Sequence, residues 1–345
     1  MPTGKLRDRQ KLILELVIRE YTAQATPVGS QTLSENYDLE VSPATVRNDM
    51  ARLEELGYLT HPHTSAGRVP TDLGYRYFVE QLMGEVALSL TERRMIQHQF
   101  HQVGREMEQW MKLAAAVLAH TAHNAALVTA LQTTESRFKH VELIHVHGLT
   151  ALLVLVTRAG GVRQEVLTLT RPLSQASLSH AAQRLNELFQ GLTATNINVR
   201  LSELSPFESD VAETIRDILT QLDERGGHQV YQFGAGNVLA QPEFATGELA
   251  RQFLSLLERG AFFEEILSGL LSVQAGDVRV IIGAEGPWDE LSDLSLILGQ
   301  YGVTGVAIGT LGVLGPRRMR YERAVSAVRY VSDLLSDLVC DWYGL

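Results

Sequence analysis

The stretch SPATVRNDMARLEELGYLTHPHTSAGRVP, residues 42–70, decides how the first part of the chain is interpreted. Serine followed by proline is typical of a helix start, because serine caps the first free amides and proline fits the first helical position. Apolar residues then recur at steps of four and three, at Val46, Met50 and Leu53. Gly57 ends this helix, and turn-forming residues separate two short β-prone runs after it. The stretch therefore predicts a helix followed by a hairpin.

Two further helices are predicted before this stretch. The first lies between Leu6 and Tyr21 and has apolar residues at helical spacing, and residues 26–29 break it. The second runs from about Ser30, a plausible N-cap, to Tyr37. The order helix, helix, helix, hairpin is that of a winged helix-turn-helix, which we place in residues 1–84.

In such a module the first turns of the third helix enter the major groove of DNA. Arginine can form two hydrogen bonds with guanine, and asparagine can form two with adenine, whereas hydroxyls and helix starts suit phosphate. The DNA-binding residues expected on the third helix and at the start of the second are Ser42, Thr45, Arg47, Asn48, Arg52, Ser30 and Gln31. Two points stay open: which of Arg47 and Asn48 reads a base, and whether Arg47 instead pairs with Glu54 or Asp49.

The hairpin is expected to act as the wing. No acidic residue occurs between Gly57 and Thr71. Gly67 would let the backbone approach the duplex, and Arg68 would enter a minor groove or bind phosphate. The expected wing contacts are His61, His63, Thr64, Ser65, Gly67 and Arg68. A metal site at the His-x-His pair is the alternative, but no cysteine or nearby acidic residue supplies a third ligand, so neither a metal nor a cofactor is expected.

The net charge of −10 disfavours a nucleic-acid-binding protein. Residues 1–83 contain nine Lys and Arg against eleven Asp and Glu by direct count. This balance favours an alternative, a protein-interaction scaffold that never touches DNA. Binding depends on the charge of the surface presented to phosphate, however, so the acid-free hairpin keeps DNA binding the better interpretation.

The remaining composition indicates a cytoplasmic, non-enzymatic protein. No stretch approaches the roughly 20 apolar residues of a membrane helix, and the polar N-terminus does not resemble a signal peptide. The single cysteine, Cys340, excludes an internal disulfide and a cysteine-based zinc site. The glycines at 299, 302, 305, 309, 312 and 315 match no phosphate-binding loop and are expected at strand ends and turns.

Residues 85–345 predict a mixture of helices and strands. One long helix is expected to begin at Thr91 and to link the first module to the rest, across residues 85–120. The predicted strands are Val141–Val146, Ala151–Thr157, Val162–Leu169, Gln229–Phe233, Val278–Ile282 and Val303–Ile308. Helices are predicted between them and at Tyr321–Leu338. The fold class is therefore α+β with more than one domain.

Residues 42–83 resemble the HrcA family of bacterial heat-inducible transcription repressors. The preceding PVGSQTL, residues 27–33, fits the same family. Later segments resemble family motifs: Gly315–Tyr321, Ile282–Glu285, and Asn237 with Gln241–Phe244. Gly286 stands where the family usually has asparagine, which puts a local turn in doubt.

The resemblance implies a GAF-like α+β domain, residues 121–170 and 236–345, that carries an inserted dimerising domain, residues 171–235. It also implies repression of chaperone operons through an inverted-repeat operator and modulation by a chaperonin of the GroEL type. We expect a homodimer whose interface is formed by Leu185, Phe189, Val211, Ile215, Ile218 and Leu222. A metabolite-sensing regulator with an effector pocket in the GAF-like domain is the alternative of the same fold.

Overall fold

The structure is a computed structural model that describes residues 6–63, 67–84, 86–104, 106–133, 135–158, 161–225, 229–258, 277–286 and 288–344. The chain is an α+β protein that divides into two compact units. Unit 1 comprises residues 1–129, 230–301 and 310–336, and unit 2 comprises residues 130–229, 302–309 and 337–345. No helix in the described part of the chain combines the length and the apolar character that crossing a bilayer requires.

Unit 1 begins with three helices and a short hairpin, as predicted. The elements of this N-terminal module are α1 (Asp8–Gln24), α2 (Ser30–Asn36), α3 (Pro43–Glu55), β1 (Leu59–Thr60), β2 (Val69–Pro70) and α4 (Asp72–Tyr77). The chain continues from α4 as one wide helical turn to Leu82. Ile13, Val17, Leu33, Val46 and Leu53 form the interior of the module and are at most 2% exposed. Their spacing at steps of three and four is the pattern that predicted the helices.

The predicted linker helix is two helices instead of one, α5 (Leu90–Gln102) and α6 (Met107–Ala122). The first ends at Val103, where the backbone becomes extended just before Gly104. The apolar repeat continues across this break because Ile96 on the first helix and Trp110 on the second are both buried. The apolar repeat therefore predicted which side chains are buried, but it did not predict that the helix is broken in two.

The second part of unit 1 is built on an antiparallel sheet with the strand order β8-β3-β11-β10-β9. Its strands are β3 (Ala125–Thr129), β8 (Val230–Phe233), β9 (Val278–Ile282), β10 (Leu294–Val303) and β11 (Ala307–Pro316). A short strand β4 (Gln132–Thr133) pairs with the start of β11. Two further helices, α10 (Ala235–Leu239) and α11 (Glu248–Glu258), belong to this part, as does the C-terminal α12 (Tyr321–Tyr343) up to Ser336.

The strand predicted at Val303–Ile308 is interrupted: residues 304–306 form the turn between β10 and β11, and only Val303, Ala307 and Ile308 belong to strands. Gly305 has φ +80° in this turn. The two strands on either side are buried along nearly their whole length. Such strands lack the alternation of apolar and polar residues from which their position could have been inferred.

Unit 2 contains a three-stranded antiparallel sheet, β5 (Phe138–His147), β6 (Thr150–Thr157) and β7 (Val162–Thr168). One face of this sheet packs on α7 (Gln175–Phe189), α8 (Ala194–Arg200) and α9 (Pro206–Arg225) around one apolar core. The meander was predicted, but its sheet is separate from the sheet of unit 1. The meander lies in a compact unit that begins at Ala130 and also contains α7, α8 and α9, whereas the prediction placed the meander with the GAF-like domain, residues 121–170. Alternation predicts a strand without showing which sheet it joins.

Candidate nucleic-acid interface

The start of α3 has the predicted cap. The Ser42 hydroxyl accepts a hydrogen bond from the Thr45 amide at 3.3 Å and lies 3.1 Å from the Thr45 hydroxyl. Pro43 is the first helical residue. Proline has no amide hydrogen, so this arrangement reduces the number of free amides at the helix start. The first turn of α3 is therefore capped at its N-terminus.

The helix α3 has one buried and one exposed face. Val46, Met50 and Leu53 pack into the N-terminal module at 0–3% exposure. Arg47 and Asn48 are exposed, as are the other predicted reading residues Ser42 and Arg52, whereas Thr45 is half-buried. The polar face at the start of α3 is thus open to solvent.

Arg47 has no ion-pair or hydrogen-bond partner among the described residues, although two acids lie close to it in sequence. Asp49 instead receives the Nε of Arg9 at 2.6 Å, and Glu54 lies 2.7 Å from the Nε of Arg68. The alternative in which Arg47 pairs with one of these acids is therefore not what the structure shows. Arg52 differs, because its Nη1 is 2.6 Å from Glu55 Oε2.

Asp49 was considered in the sequence only as a partner of Arg47, and its buried role in the module was missed. It lies on the apolar face of α3, is 7% exposed, and joins α3 to Arg9 on α1. The bond to Asp49 raises the pKa of Arg9. An acid between Val46 and Met50 on an otherwise apolar face was a usable signal, because a buried carboxylate requires a cationic partner.

The hairpin is held at its base by a carboxylate on α3. Leu59 pairs with Pro70, and Thr60 with Val69, in an antiparallel ladder. Glu54 contacts the His61 ring and forms the ion pair with Arg68 described above. An acidic neighbour of the His-x-His pair therefore exists, contrary to the sequence-based interpretation. No group of three or more His, Cys, Asp or Glu positioned to hold a metal occurs within the described ranges.

This contact also changes what Arg68 can do. Its side chain is only 24% exposed and faces Glu54. Its backbone amide and carbonyl form a two-way bridge with Val28, at 2.8 and 2.9 Å. Arg68 thus anchors the hairpin to the helical part of the module. His61 and His63 are exposed, and the expected contacts Thr64 and Ser65 lie outside the described residues.

Gly67 is required by packing within the module, not by the approach of DNA for which it was singled out. A Cβ at this position would lie 2.5 Å from the Val28 carbonyl and 2.8 Å from the backbone of Pro27. Neither neighbour is a flexible side-chain end that could move aside.

We therefore expect Gly67→Ala to destabilise the N-terminal module by about 1–3 kcal/mol, the usual effect of overpacking. Chemical denaturation followed by circular dichroism measures this change. Gly84→Ala is the matched control, because a Cβ there meets no atom within 4 Å. Equal stability of both variants would show that the hairpin base is looser than described.

The start of α2 differs slightly from the prediction. Gly29 occupies the N-cap position, and Ser30 is the first helical residue. Ser30 is half-buried, and the exposed Gln31 donates its side-chain amide to Glu35 at 2.8 Å. Sequence patterns locate a helix end only to within one or two residues, so they could not show whether Gly29 or Ser30 is the N-cap.

The residues expected at the dimer interface lie in the interior of unit 2. Leu185, Phe189, Val211 and Ile215 are 0–1% exposed within the single chain. Ile218 and Leu222 are half-buried, and the former packs against the same core. The four buried side chains hold α7 and α9 on the sheet, so they are not available to a second subunit. The amphipathic pattern showed that these helices bury a face, but it did not show what covers that face.

Known proteins resemble this chain over nearly all of its length. The family model described as HrcA protein C terminal domain matches residues 108–325. A protein of Roseiflexus castenholzii named heat-inducible transcription repressor HrcA is 45% identical over 99% of this chain and 97% of its own length. A protein of the same name from Herpetosiphon aurantiacus is 47% identical, with the same two coverages. A solved structure titled as that of a hypothetical protein aligns with a TM-score of 0.67 and 25% identity, over 98% of this chain and all of that one.

Proposed function

The chain belongs to the HrcA family of heat-inducible transcription repressors, and from that premise we propose how it binds DNA and how heat inactivates it. The N-terminal module is a winged helix-turn-helix, with α3 as its recognition helix and the hairpin as its wing. The module reads one half of an inverted-repeat operator in front of chaperone genes. As a repressor bound to chromosomal DNA, the protein works in the cytoplasm, and it carries out no catalysis.

The observation that carries this proposal is the exposed start of α3 with the unpaired Arg47 beside Asn48. These two side chains suit guanine and adenine edges, and both lie on the second turn of a capped helix. Every other described arginine of α3 and the hairpin faces a carboxylate, namely Glu55 or Glu54. Within α3 and the hairpin, Glu54 and Glu55 are therefore paired internally, and Arg47 remains for DNA.

Titration with operator DNA tests this function. The wild-type chain is expected to bind an inverted repeat far more tightly than scrambled DNA, and the logarithm of the affinity is expected to fall linearly with the logarithm of the salt concentration. Equal affinity for both sequences would remove the repressor assignment and leave the protein-interaction scaffold.

An inverted repeat requires two reading heads, so the protein acts as a homodimer. We place the contact on the outer face of the β5-β6-β7 sheet, since the helices on the inner face are used for the core. Leu152 on β6 stands between Ile144 on β5 and Val166 on β7, and the last two are 45% and 64% exposed. Val156 and Val162 form a second apolar row on the same face. A second copy presents the same apolar rows, which suits an interface about a two-fold axis.

Placing lysine at Ile144 and Val166 together is expected to convert the dimer to a monomer, because four charges would enter the apolar contact. Light scattering measures the mass, and circular dichroism is expected to show that the monomer keeps its secondary structure. Val199→Lys is the control, since Val199 is 78% exposed on α8 in the same unit. A double variant that keeps the dimeric mass would place the interface elsewhere.

Heat relieves repression by lowering the population of correctly folded dimer. The apparent affinity for the operator falls with the fraction of competent protein, so no small effector is needed. A chaperonin of the GroEL type restores that fraction when it is not occupied by damaged proteins. The test is to heat the repressor, incubate it with or without chaperonin and ATP, and measure the active fraction on operator DNA. Identical active fractions would contradict the chaperonin loop.

A further inference from the structure

Three short segments that carry the family resemblance, Gln241–Phe244, Ile282–Glu285 and Gly315–Tyr321, have no assigned role in DNA reading. In unit 1 the last two segments bond directly to the N-terminal module, and Gln241–Phe244 is joined to the module through Arg318. We infer that together they form a seat that fixes the orientation of the N-terminal module, and that Arg318, Arg76 and Arg317 are positioning residues for operator binding. This inference rests on the proposed function, because the module that is seated is the one proposed to read DNA.

Arg318 is the centre of the seat. Its side chain is 9% exposed and contacts both carboxylate oxygens of Glu243, with Nη2 3.1 Å from Oε2. The same Nη2 donates to Gln241 Oε1 at 2.8 Å, and Nη1 donates to the backbone carbonyl of Thr22 at 2.9 Å. Thr22 lies in the last turns of α1. The planar guanidinium thus connects the first helix of the module to the Gln241–Phe244 segment, and its fork is satisfied in a single relative orientation.

A second set of bonds holds α4, the helix that follows the hairpin. The Nε of Arg76 donates to Glu285 Oε1 at 2.9 Å, and its Nη2 donates to the Val280 carbonyl at 2.8 Å. Glu285 also raises the pKa of Arg76. Arg317 lies between two acids, with Nη1 3.2 Å from Asp72 Oδ1 and Nη2 3.2 Å from Asp293 Oδ1. Residues at both ends of the module are therefore bonded to the seat.

Gly283 shows how closely the Ile282–Glu285 segment approaches α4 of the N-terminal module. Its φ is +53°, and a Cβ there would lie 2.4 Å from a carboxylate oxygen of Asp72. Asp72 Oδ2 in turn accepts a hydrogen bond from the Ala284 amide at 3.4 Å. A larger side chain at this position would displace the carboxylate from both the amide and Arg317. The glycine of the Ile282–Glu285 segment is thus part of the seat.

Directional hydrogen bonds and ion pairs of this kind fix the orientation of the N-terminal module more than they contribute to the free energy of its attachment. Exposed ion pairs contribute little to stability, and a buried pair can often be replaced by apolar residues without loss. The multiple bonds of Arg318 and Arg76 are nevertheless lost if the module rotates. A weakened seat should therefore leave the module folded and attached but variable in orientation.

Orientation matters for an inverted repeat because both heads must engage together. The second head then binds intramolecularly, and this avidity gain disappears when geometry prevents simultaneous contact. A single half-site is bound by one module alone, so its affinity does not depend on how that module is oriented relative to the second. The ratio of full-operator to half-site affinity is therefore the quantity that the seat controls.

The test variant is Arg318→Met combined with Glu243→Gln, which removes both charges of the pair and leaves neither partner as an unpaired charge. Arg320→Met is the matched control, because Arg320 is exposed two residues away. We expect the double variant to bind the full operator about 10- to 100-fold more weakly, a loss of part of the avidity gain, while its half-site affinity stays within about twofold. An equal loss on both DNAs, or no loss on either, would overturn the inference.

A measurement without DNA separates this inference from the proposed function. Spin labels at Asp38→Cys on the module and Asp289→Cys beyond the seat, in a Cys340→Ser background and diluted with unlabelled protein, report one intramolecular distance. Both aspartates are exposed. We expect one narrow distance distribution for the otherwise unmodified chain and for Arg320→Met, and a broad one for the double variant. Identical distributions would refute the seat, whereas failure of the unmodified chain to bind operator would refute the proposed function alone.

Discussion

Arg47→Ala is expected to weaken operator binding by about 1–3 kcal/mol, roughly 5- to 150-fold, if Arg47 reads a base. The structure supports a large effect because Arg47 is exposed and has no partner among the described residues, so no internal bond compensates for its loss. Base reading also predicts relaxed specificity: the variant should discriminate less between the operator and a version changed at one symmetric base pair. Fluorescence anisotropy with both DNAs measures affinity and discrimination together.

Arg52→Ala is the matched control for this prediction. Arg52 is on the same helix and is also exposed, but it is paired with Glu55 at 2.6 Å. Its removal should cost less affinity and leave discrimination unchanged. A similar loss from both substitutions, without any loss of discrimination, would show that α3 contributes only general electrostatic attraction.

Ile215→Asp is expected to unfold unit 2 rather than merely separate a dimer. Ile215 is fully buried in the core between the sheet and its helices, and a carboxylate there has no described cationic partner in that core. An uncompensated buried charge costs about 3–5 kcal/mol, a large part of the stability of a typical domain. Differential scanning calorimetry and hydrogen exchange of β5–β7 are expected to show the loss.

Val199→Asp is the corresponding exposed substitution in unit 2. Because Val199 is 78% exposed, we expect a change within about 0.5 kcal/mol, which is usual for surface positions. A folded, monomeric Ile215→Asp protein would contradict the packing described for this unit and return α9 to the subunit interface.

Local sequence signals predicted the N-terminal module well. The Ser42 cap, the Pro43 start and the steps from Val46 to Leu53 depend only on neighbours within a few residues. The meander β5–β7 was predicted for the same reason, since alternating side chains and turn residues mark each strand. Sequence patterns were therefore sufficient for elements whose contacts lie within a few residues along the chain.

The remaining features depend on contacts between distant residues. Glu54 on α3 pairs with Arg68 in the hairpin. Arg318 donates to the Thr22 carbonyl although the two residues lie 296 positions apart in sequence. Neither partner can be inferred from spacing, because the fold brings them together. The same limit explains why Ile215 was placed at an interface: an apolar stripe on α9 reports burial, while the identity of the covering surface is a tertiary property.

Affinity cleavage of operator DNA tests most directly whether the start of α3 lies in the major groove. An iron chelate attached at Ala44→Cys, an exposed position in the first turn of α3 that is not one of the proposed reading residues, in the Cys340→Ser background, should cut the operator at two symmetric positions, one in each half-site. The same chelate at Asp289→Cys, an exposed position outside the module, should give no localised cutting. Symmetric cleavage from position 44 alone is the result expected here. Cleavage that is absent from position 44, or equal from both positions, would contradict the assignment of α3 as the recognition helix.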